Sequence, residues 1–218
     1  MCFETLLFDL DDTLYSSTSG IWEAIGDRMV DYMVTKLAIP ESSAPAERER
    51  LFHTHGTTMR GLVAEYKIDE VDFLEYVHDI SIDEYLSPNP AVRKMLETFP
   101  QRKVIFTNAD TGHAIRVLKT LGVEDQFEQI IDIRSIKPWC KPQPEAFGKA
   151  LKLAGIQNPA KCVMIDDSLR NLITAHELGL FTIQVGEKDV IPPVDAAILT
   201  IEELASVLIQ SQKSYKGD

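Results

Sequence analysis

The sequence predicts an α/β protein, a doubly wound parallel sheet with an α-helical cap inserted after its first strand. Three observations predict it. Leu6, Leu7, Phe8 and Leu10 form an apolar run too continuous for a strand with one wet face, and strands buried on both faces belong to parallel sheets covered by helices. From Ser87 onward, short apolar runs alternate with segments of helical period. Between Ser16 and Ser87 the pattern is helical, without a convincing strand. The expected division is therefore a core of residues 1–15 and 88–218 and a helical cap of residues 16–87.

The elements follow in order. After Tyr15, the residues Ile21, Ala24, Ile25, Met29, Tyr32, Met33 and Leu37 recur at helical spacing, and the segment ends near Ile39-Pro40. Glu41 to Pro45 reads as a polar turn and Ala46 to Phe52 as a charged helix. The stretch His53 to Leu62, with two glycines and several hydroxyl and imidazole groups, reads as a break before a helix resumes through Val63 and Tyr66. Asp69 caps a further helix reaching Val77. Past Ser87-Pro88-Asn89-Pro90 come a helix over 91–99, a strand over 103–106, a helix over 112–121 and a short strand over 129–132. A helix over 144–154, a strand over 161–165, a helix over 169–178 closed by Gly179 and a strand over 181–185 continue the alternation. Ala196 to Ile198 reads as an edge strand, Ile201 to Gln210 as a last helix, and the polar tail from Ser211 as frayed.

Composition narrows the function classes. At 218 residues, with 44% hydrophobic and 26% charged, the chain suits one full core plus a small accessory domain. Its 34 acidic against 22 basic residues give a net charge of −12, which disfavours nucleic acid polymers and anionic membranes as partners. An anionic substrate must then be held by local positive groups. Cys2, Cys140 and Cys162 are scattered and in no metal-ligand spacing, which fits a reducing compartment. No apolar run is long enough to span a membrane, and the first strand begins too early for a targeting segment. A cytoplasmic enzyme is expected.

The chemistry gathers where strands end. Phe8 hands over to Asp9-Leu10-Asp11, Phe106 to Thr107-Asn108, and Ile165 to Asp166-Asp167-Ser168. In open parallel sheets the carboxyl ends of strands are the ligand-binding rim. Asp9 and Asp11 lie two apart and point to one side, and two such charges resist joint ionisation unless a divalent cation compensates. Taken alone, an Asp-x-Asp reads rather as an acidic turn capping a helix, with Asp12 or Thr13 as the N-cap. Mg²⁺ takes carboxylates, phosphate oxygens and waters, and Asp9 and Asp166 can supply the carboxylates. The Thr107 hydroxyl and Asn108 amide can donate to phosphate, and Lys141, in a loop whose prolines Pro142 and Pro144 restrict the backbone just before a helix, can be aimed at it. Asp12 and Thr13 read as turn-forming, Ser168 as a helix N-cap, and Asn171 as a partner that orients the carboxylates. His53, His55 and His78 lack zinc spacing, and Trp22 and Trp139 read equally as packing or rim aromatics.

Asp9-Leu10-Asp11-Asp12-Thr13-Leu14-Tyr15, Thr107-Asn108, Lys141-Pro142 and Asp166-Asp167-Ser168 resemble, in order and spacing, the four motifs of the haloacid-dehalogenase-like superfamily of phosphohydrolases. The helical stretch after the first motif is similar to that superfamily's α-helical cap. More narrowly, His55-Gly56-Thr57-Thr58-Met59-Arg60-Gly61-Leu62, Val77-His78-Asp79 and Phe106-Thr107-Asn108-Ala109-Asp110 resemble the pyrimidine 5′-nucleotidase branch of fungi and plants. That branch usually has an aromatic residue where this chain has His55 and a small one where it has Arg60.

The resemblance implies a Mg²⁺-dependent phosphatase acting on small phosphate monoesters, a pyrimidine nucleoside 5′-monophosphate above all. It implies Asp9 as the nucleophile that forms an aspartyl-phosphate and Asp11 as the acid and base, holding a proton when Asp9 does not. Lys141 and Thr107 would stabilise the phosphoryl oxygens. Asp9, Asp166 and the Asp11 backbone carbonyl would hold the metal, with Asp167 and Asn171 behind them. His55, Thr57, Thr58 and Arg60 are the candidate substrate contacts in the cap. A phosphosugar or phosphorylated-cofactor phosphatase, or a mutase using Arg60 for a second phosphate, stays open. So does a receiver-like phospho-accepting domain, although there the acidic pair and the acceptor lie on different strands. A monomer or weak homodimer is expected.

Overall fold

The structure, a computed structural model, describes residues 3–208. Six strands form one parallel sheet: β1 (Thr5–Phe8), β2 (Arg102–Phe106), β3 (Gln129–Ile131), β4 (Cys162–Asp166), β5 (Phe181–Val185) and β6 (Ala196–Ile198). Their spatial order is β3-β2-β1-β4-β5-β6, so β1 is central and the chain reverses its direction of winding between β1 and β4. The crevice at this reversal, outside the strand carboxyl ends, is where such sheets bind ligands.

Side chains alternate across the sheet as the pleat requires. Leu6, Phe8, Ile105, Val163, Ile165 and Ile183 enter one apolar cluster, and Leu7, Val104, Phe106, Cys162 and Met164 the other. The first cluster is covered by α5 (Pro90–Glu97) and α6 (Thr111–Leu121), the second by α7 (Pro144–Leu153) and α8 (Leu169–Glu177). This double covering is why the strands read as unbroken apolar runs.

Between β1 and α5 come four helices: α1 (Ile21–Leu37), α2 (Ala44–His55), α3 (Thr58–Tyr66) and α4 (Glu70–Val77). Their inner faces, including Ile25, Met33, Leu51, Leu62 and Phe73, belong to the same cluster as the first sheet face. Insertion and core thus share one apolar body.

Two boundaries differ from the sequence expectation. Helix α2 begins at Ala44, not after Pro45, because a proline in the first turn has no N–H to waste there. It then runs through His53 and His55, so the expected break shrinks to Gly56 and Thr57. Thr57 Oγ1 accepts the Arg60 N–H at 3.1 Å and caps α3. Gly56 has φ +88°, and a Cβ there would lie 2.8 Å from the Cys140 Sγ, so the turn needs glycine for both conformation and space. At the far end Ile201–Glu203 is a 3₁₀ turn leading into helical residues 204–208. The remainder of the expected last helix and the tail from Ser211 lie outside the described residues.

Candidate active site

The central strand delivers Asp9 to the crevice. Its N–H donates to the Ile165 carbonyl at 2.8 Å, which extends the β1–β4 pairing by one residue and places Asp9 next to Asp166. Asp9 Oδ1 accepts the Leu10 N–H at 2.8 Å. Lys141 Nζ lies 2.8 Å from Asp9 Oδ1 and 2.8 Å from Asp166 Oδ2, and the lysine is only 1% exposed. Burial alone would lower the Lys141 pKa, but Asp166 and Asp9 raise it above the ordinary lysine value. The ammonium is therefore a fixed charge between two carboxylates.

Each member is held by neighbours. Asn171 Nδ2 donates to both oxygens of Asp166 at 3.0 Å, and the Ser168 N–H donates to Oδ1 at 2.9 Å. Ser168 occupies the N-cap position of α8, but its hydroxyl caps nothing. Thr13 Oγ1 accepts the Asp167 N–H at 3.0 Å, which ties the turn after β1 to the turn after β4. Asn108 Oδ1 accepts the Lys141 N–H at 2.9 Å, and its Nδ2 donates to the Lys141 carbonyl at 3.0 Å. The Asn108 amide, expected on the phosphate, thus spends its carbonyl and one N–H on the backbone that aims Lys141. The buried Thr107 Oγ1 accepts the Ala109 N–H at 2.9 Å.

Asp11 has different surroundings. Its Oδ1 accepts the Tyr15 hydroxyl at 2.6 Å and is 2.7 Å from His113 Nε2. Burial pushes its pKa up, but the His113 charge and the hydrogen bonds from His113 and Tyr15 outweigh that and hold it below the ordinary carboxylate range. Asp9 moves the other way: burial, reinforced by Asp166 and Asp167, raises its pKa well above the usual value despite Lys141. Without a cation or phosphate the two aspartates thus shift in opposite directions, and the downward shift of Asp11 has one main cause. The cause is a residue the sequence reading passed over, His113. Its signal was present, since it is the third residue after the Asp110 N-cap of α6 and so sits in the first turn at the sheet's carboxyl rim.

Asp9, Asp166 and Asp167 each offer a carboxylate oxygen within 4.8 Å of the others. Burial and its acidic neighbours push Asp167 up to about 7. Three hard oxygen donors that resist joint ionisation fit a Mg²⁺-like cation. Asp167, expected behind the metal, belongs to this group, whereas the Asp11 side chain is drawn off by Tyr15 and His113.

A cavity of about 500 Å³ opens over these groups. Asp9, Asp11, Thr107, Asn108, Lys141, Asp167 and Asn171 line its floor. The insertion supplies an apolar wall of Trp22, Ile25, Phe52, Met59 and Phe73, with Arg48, Glu49, His53, Thr57, Thr58 and His78 as its polar part. Arg170 also lines the cavity and stacks its guanidinium over Phe52 at 4.8 Å. Arg48 and Arg170 carried no motif and escaped the sequence reading.

Two expected substrate contacts are not in this wall. His55 Nε2 is 2.7 Å from Glu65 Oε1 on the flank of the insertion. Arg60 is buried and pairs with Glu70 at 3.0 Å, and it donates to the carbonyls of Ile133 (2.7 Å) and Trp139 (3.1 Å). A buried guanidinium needs acceptors, and Arg60 finds them for Nη1 and Nη2 by stapling α3 to the loop before Lys141, while its Nε has no partner among the described residues. Trp22 sits on the cavity edge, 45% exposed, while Trp139 contributes its carbonyl to Arg60. His53, His55 and His78 pair separately with Glu49, Glu65 and Asp110, and of the three His53 and His78 line the cavity.

Comparison with known proteins places this arrangement. Over 191 residues the chain is 26% identical to phosphate metabolism protein 8 of Saccharomyces cerevisiae (strain ATCC 204508 / S288c), a match covering 81% of this chain but only 60% of that protein's length. It is 24% identical over 197 residues to the phosphoglycolate phosphatase of Psychrobacter arcticus, covering 83% of this chain and 82% of that one. Its fold superposes on the magnesium-bound HAD-hydrolase YfnB of Bacillus subtilis with a TM-score of 0.63 at 18% identity, over 95% of this chain and 99% of the other. A model of the haloacid dehalogenase-like hydrolases matches residues 3–179, and the chain belongs to that family.

Proposed function

We propose that this protein is a phosphatase of small phosphate monoesters that works through a phosphorylated Asp9, and that its substrate is a pyrimidine nucleoside 5′-monophosphate. The supporting observation is the pairing of Asp9 with a buried lysine under a cavity whose opposite wall is aromatic and apolar with a few polar groups. A phosphate on the floor meets Lys141, Thr107 and the open N–H groups of the rim, and a flat base meets Trp22, Phe52 and Phe73. In this reading residues 16–87 are a cap over a core of 1–15 and 88–218.

In the first step an Asp9 oxygen bonds to phosphorus as the bond from phosphorus to the leaving oxygen breaks, and that oxygen takes a proton from Asp11. In the second, water bonds to phosphorus, the Asp9–phosphorus bond breaks, and Asp11 accepts the water's proton. In the free site Asp11 is held in the ionised form, the form from which this base step starts. A phosphate dianion arriving beside Asp11 raises its pKa and so favours the protonated form needed first. Lys141 stays charged throughout and faces the developing phosphoryl charge. Mg²⁺, held by Asp9, Asp166, Asp167 and the Asp11 carbonyl, would neutralise that charge when bound. With Arg60 committed to carbonyls and Glu70, the residue that suggested a mutase does not face the cavity.

The test is free phosphate release from UMP, CMP, AMP, GMP, sugar phosphates and phosphorylated cofactors, with Mg²⁺ and with EDTA. Preference for UMP and CMP is expected, and indifference to the base rejects the nucleotide reading. Asp9→Asn should fold and be inactive; near-normal turnover by it would sink the mechanism.

A further inference from the structure

Asp11 is anchored by groups that touch neither the carboxylate cluster nor Lys141. The Tyr15 hydroxyl and His113 Nε2 both reach Oδ1, and Oδ2 has no hydrogen-bond partner among the described residues. An ionised carboxylate only accepts, so His113 carries a proton on Nε2. His113 is fully buried, and its Nδ1 has no partner, so no second hydrogen bond fixes the ring plane. A neighbouring ring does. His78, from the end of α4, stacks on His113 with centroids 4.4 Å apart and planes at 22°. His78 Nδ1 bonds to Asp110 Oδ2, and Asp110 Oδ1 accepts the backbone N–H of His113 at 3.0 Å. One carboxylate therefore ties down the ring of one histidine and the backbone of the other. Arg116 adds a hydrogen bond to the His78 carbonyl.

We propose that His113 is a positioning residue for Asp11. Its Nε2–H, kept in line by His78 and Asp110, pins Oδ1 so that Oδ2 is the oxygen that exchanges the proton. The proposal rests on the reading of Asp11 as acid and base. A carboxylate freed to rotate about its own axis offers the proton in the right place less often, and outer partners of this kind commonly carry about 10–100-fold in activity.

The step served is the transfer in which the Asp9–phosphorus bond forms, the phosphorus–leaving-oxygen bond breaks, and the leaving oxygen gains the proton from Asp11. A sugar hydroxyl leaves poorly without that proton, whereas nitrophenolate leaves as a stable anion and hardly needs it. Loss of His113 should therefore discriminate between leaving groups, which a loss of general structure would not do.

The experiment measures kcat/KM with Mg²⁺ for UMP, or whichever alkyl monoester is hydrolysed fastest, and for p-nitrophenyl phosphate. Wild type, His113→Leu, His113→Gln, His78→Leu, Asp11→Asn and Asp9→Asn are compared, each with a melting curve. His113→Leu is expected to lose about 10–100-fold on the alkyl ester and less than about threefold on the aryl ester. His113→Gln, whose amide N–H reaches the Nε2 position, should recover most of the loss, and His78→Leu should shift both substrates in the same unequal sense. If His113→Leu does not fold, the Gln and His78 variants carry the test alone. Equal losses on both esters in the folded variants, or a folded His113→Gln that discriminates as strongly as His113→Leu, overturn the role of His113. Failure of the underlying reading shows differently: Asp11→Asn would then spare the alkyl ester, or Asp9→Asn would stay active.

Discussion

Replacing Lys141 by Met keeps most of the buried stem and removes only the charge between Asp9 and Asp166. Both contacts are 2.8 Å and the group is sealed from solvent, so the variant leaves two carboxylates facing each other without a counter-ion. Breaking a buried pair in this way typically destabilises by about 3–5 kcal/mol. An independent route gives a similar figure. Forcing one carboxylate to take a proton at pH 7, when its unfolded pKa is near 3.9, costs at most about 4 kcal/mol, since Asp9 already has a raised pKa in the wild type. For a chain of this size each kcal/mol shifts Tm by about 2–4 °C, so the expected drop in EDTA at pH 7 is about 6–20 °C. The variant's carboxylates have folded pKa values raised above their unfolded ones, so its stability relative to wild type grows as pH falls. At pH 5 the same protonation costs only about 1.5 kcal/mol, and the gap should shrink accordingly. Millimolar Mg²⁺ should narrow it too. Melting curves followed by circular dichroism at both pH values decide the matter: a drop under about 2 °C at pH 7 in EDTA, or a gap that widens at pH 5, would refute the reasoning.

Three further outcomes follow from other contacts. Arg60→Met should destabilise by about 3 kcal/mol and speed hydrogen exchange in α3 and around residues 133–139, since one guanidinium holds Glu70 and both carbonyls; unchanged exchange there would deny the staple. Gly56→Ala adds a methyl 2.8 Å from the Cys140 Sγ at φ +88° and should cost about 1–3 kcal/mol in denaturant titration, part of which Cys140→Ala recovers if crowding is the cause. Burial lowers the His78 pKa, despite the Asp110 bond that raises it, so the unfolded chain binds the extra proton first and the associated stability is present above about pH 6.5 and lost as pH falls. The Tm difference between wild type and His78→Gln should therefore narrow from pH 7.5 to 5.5, and a widening gap would contradict the sign.

The sheet was legible because it is parallel. Leu7 and Leu6 face opposite clusters yet both are fully buried, so periodicity collapsed into plain hydrophobicity that a reader can locate without knowing the partners. Asp9 and Asp166 were legible because strand ends in such a sheet converge on one crevice, and Lys141 because prolines follow it directly before a helix. The insertion was harder to read. Nothing local distinguishes His53, which lines the cavity, from His55, which faces Glu65, because that choice depends on how α2 sits against α3. Arg60 looked like a ligand group for the same reason, since its acceptors are backbone carbonyls that no side-chain pattern announces. His113 was missed because its partner, Asp11, lies across the sheet rim on another strand's turn.

The central strand also has a bearing on how the protein is made. β1 carries Asp9, and its pairing partners begin at Arg102 on one side and Cys162 on the other. During synthesis Asp9 thus emerges well before its counter-charges, Lys141 and Asp166. Non-local pairing of this kind is slow and leaves apolar strand edges open meanwhile. The helices of the insertion follow directly after β1 and bury residues of the same apolar cluster, so a nascent chain holds its most aggregation-prone strand next to a local, quickly formed partner. The segment that walls the cavity over Asp9 in the finished protein is placed in the chain where it can shelter β1 until the rest of the sheet arrives.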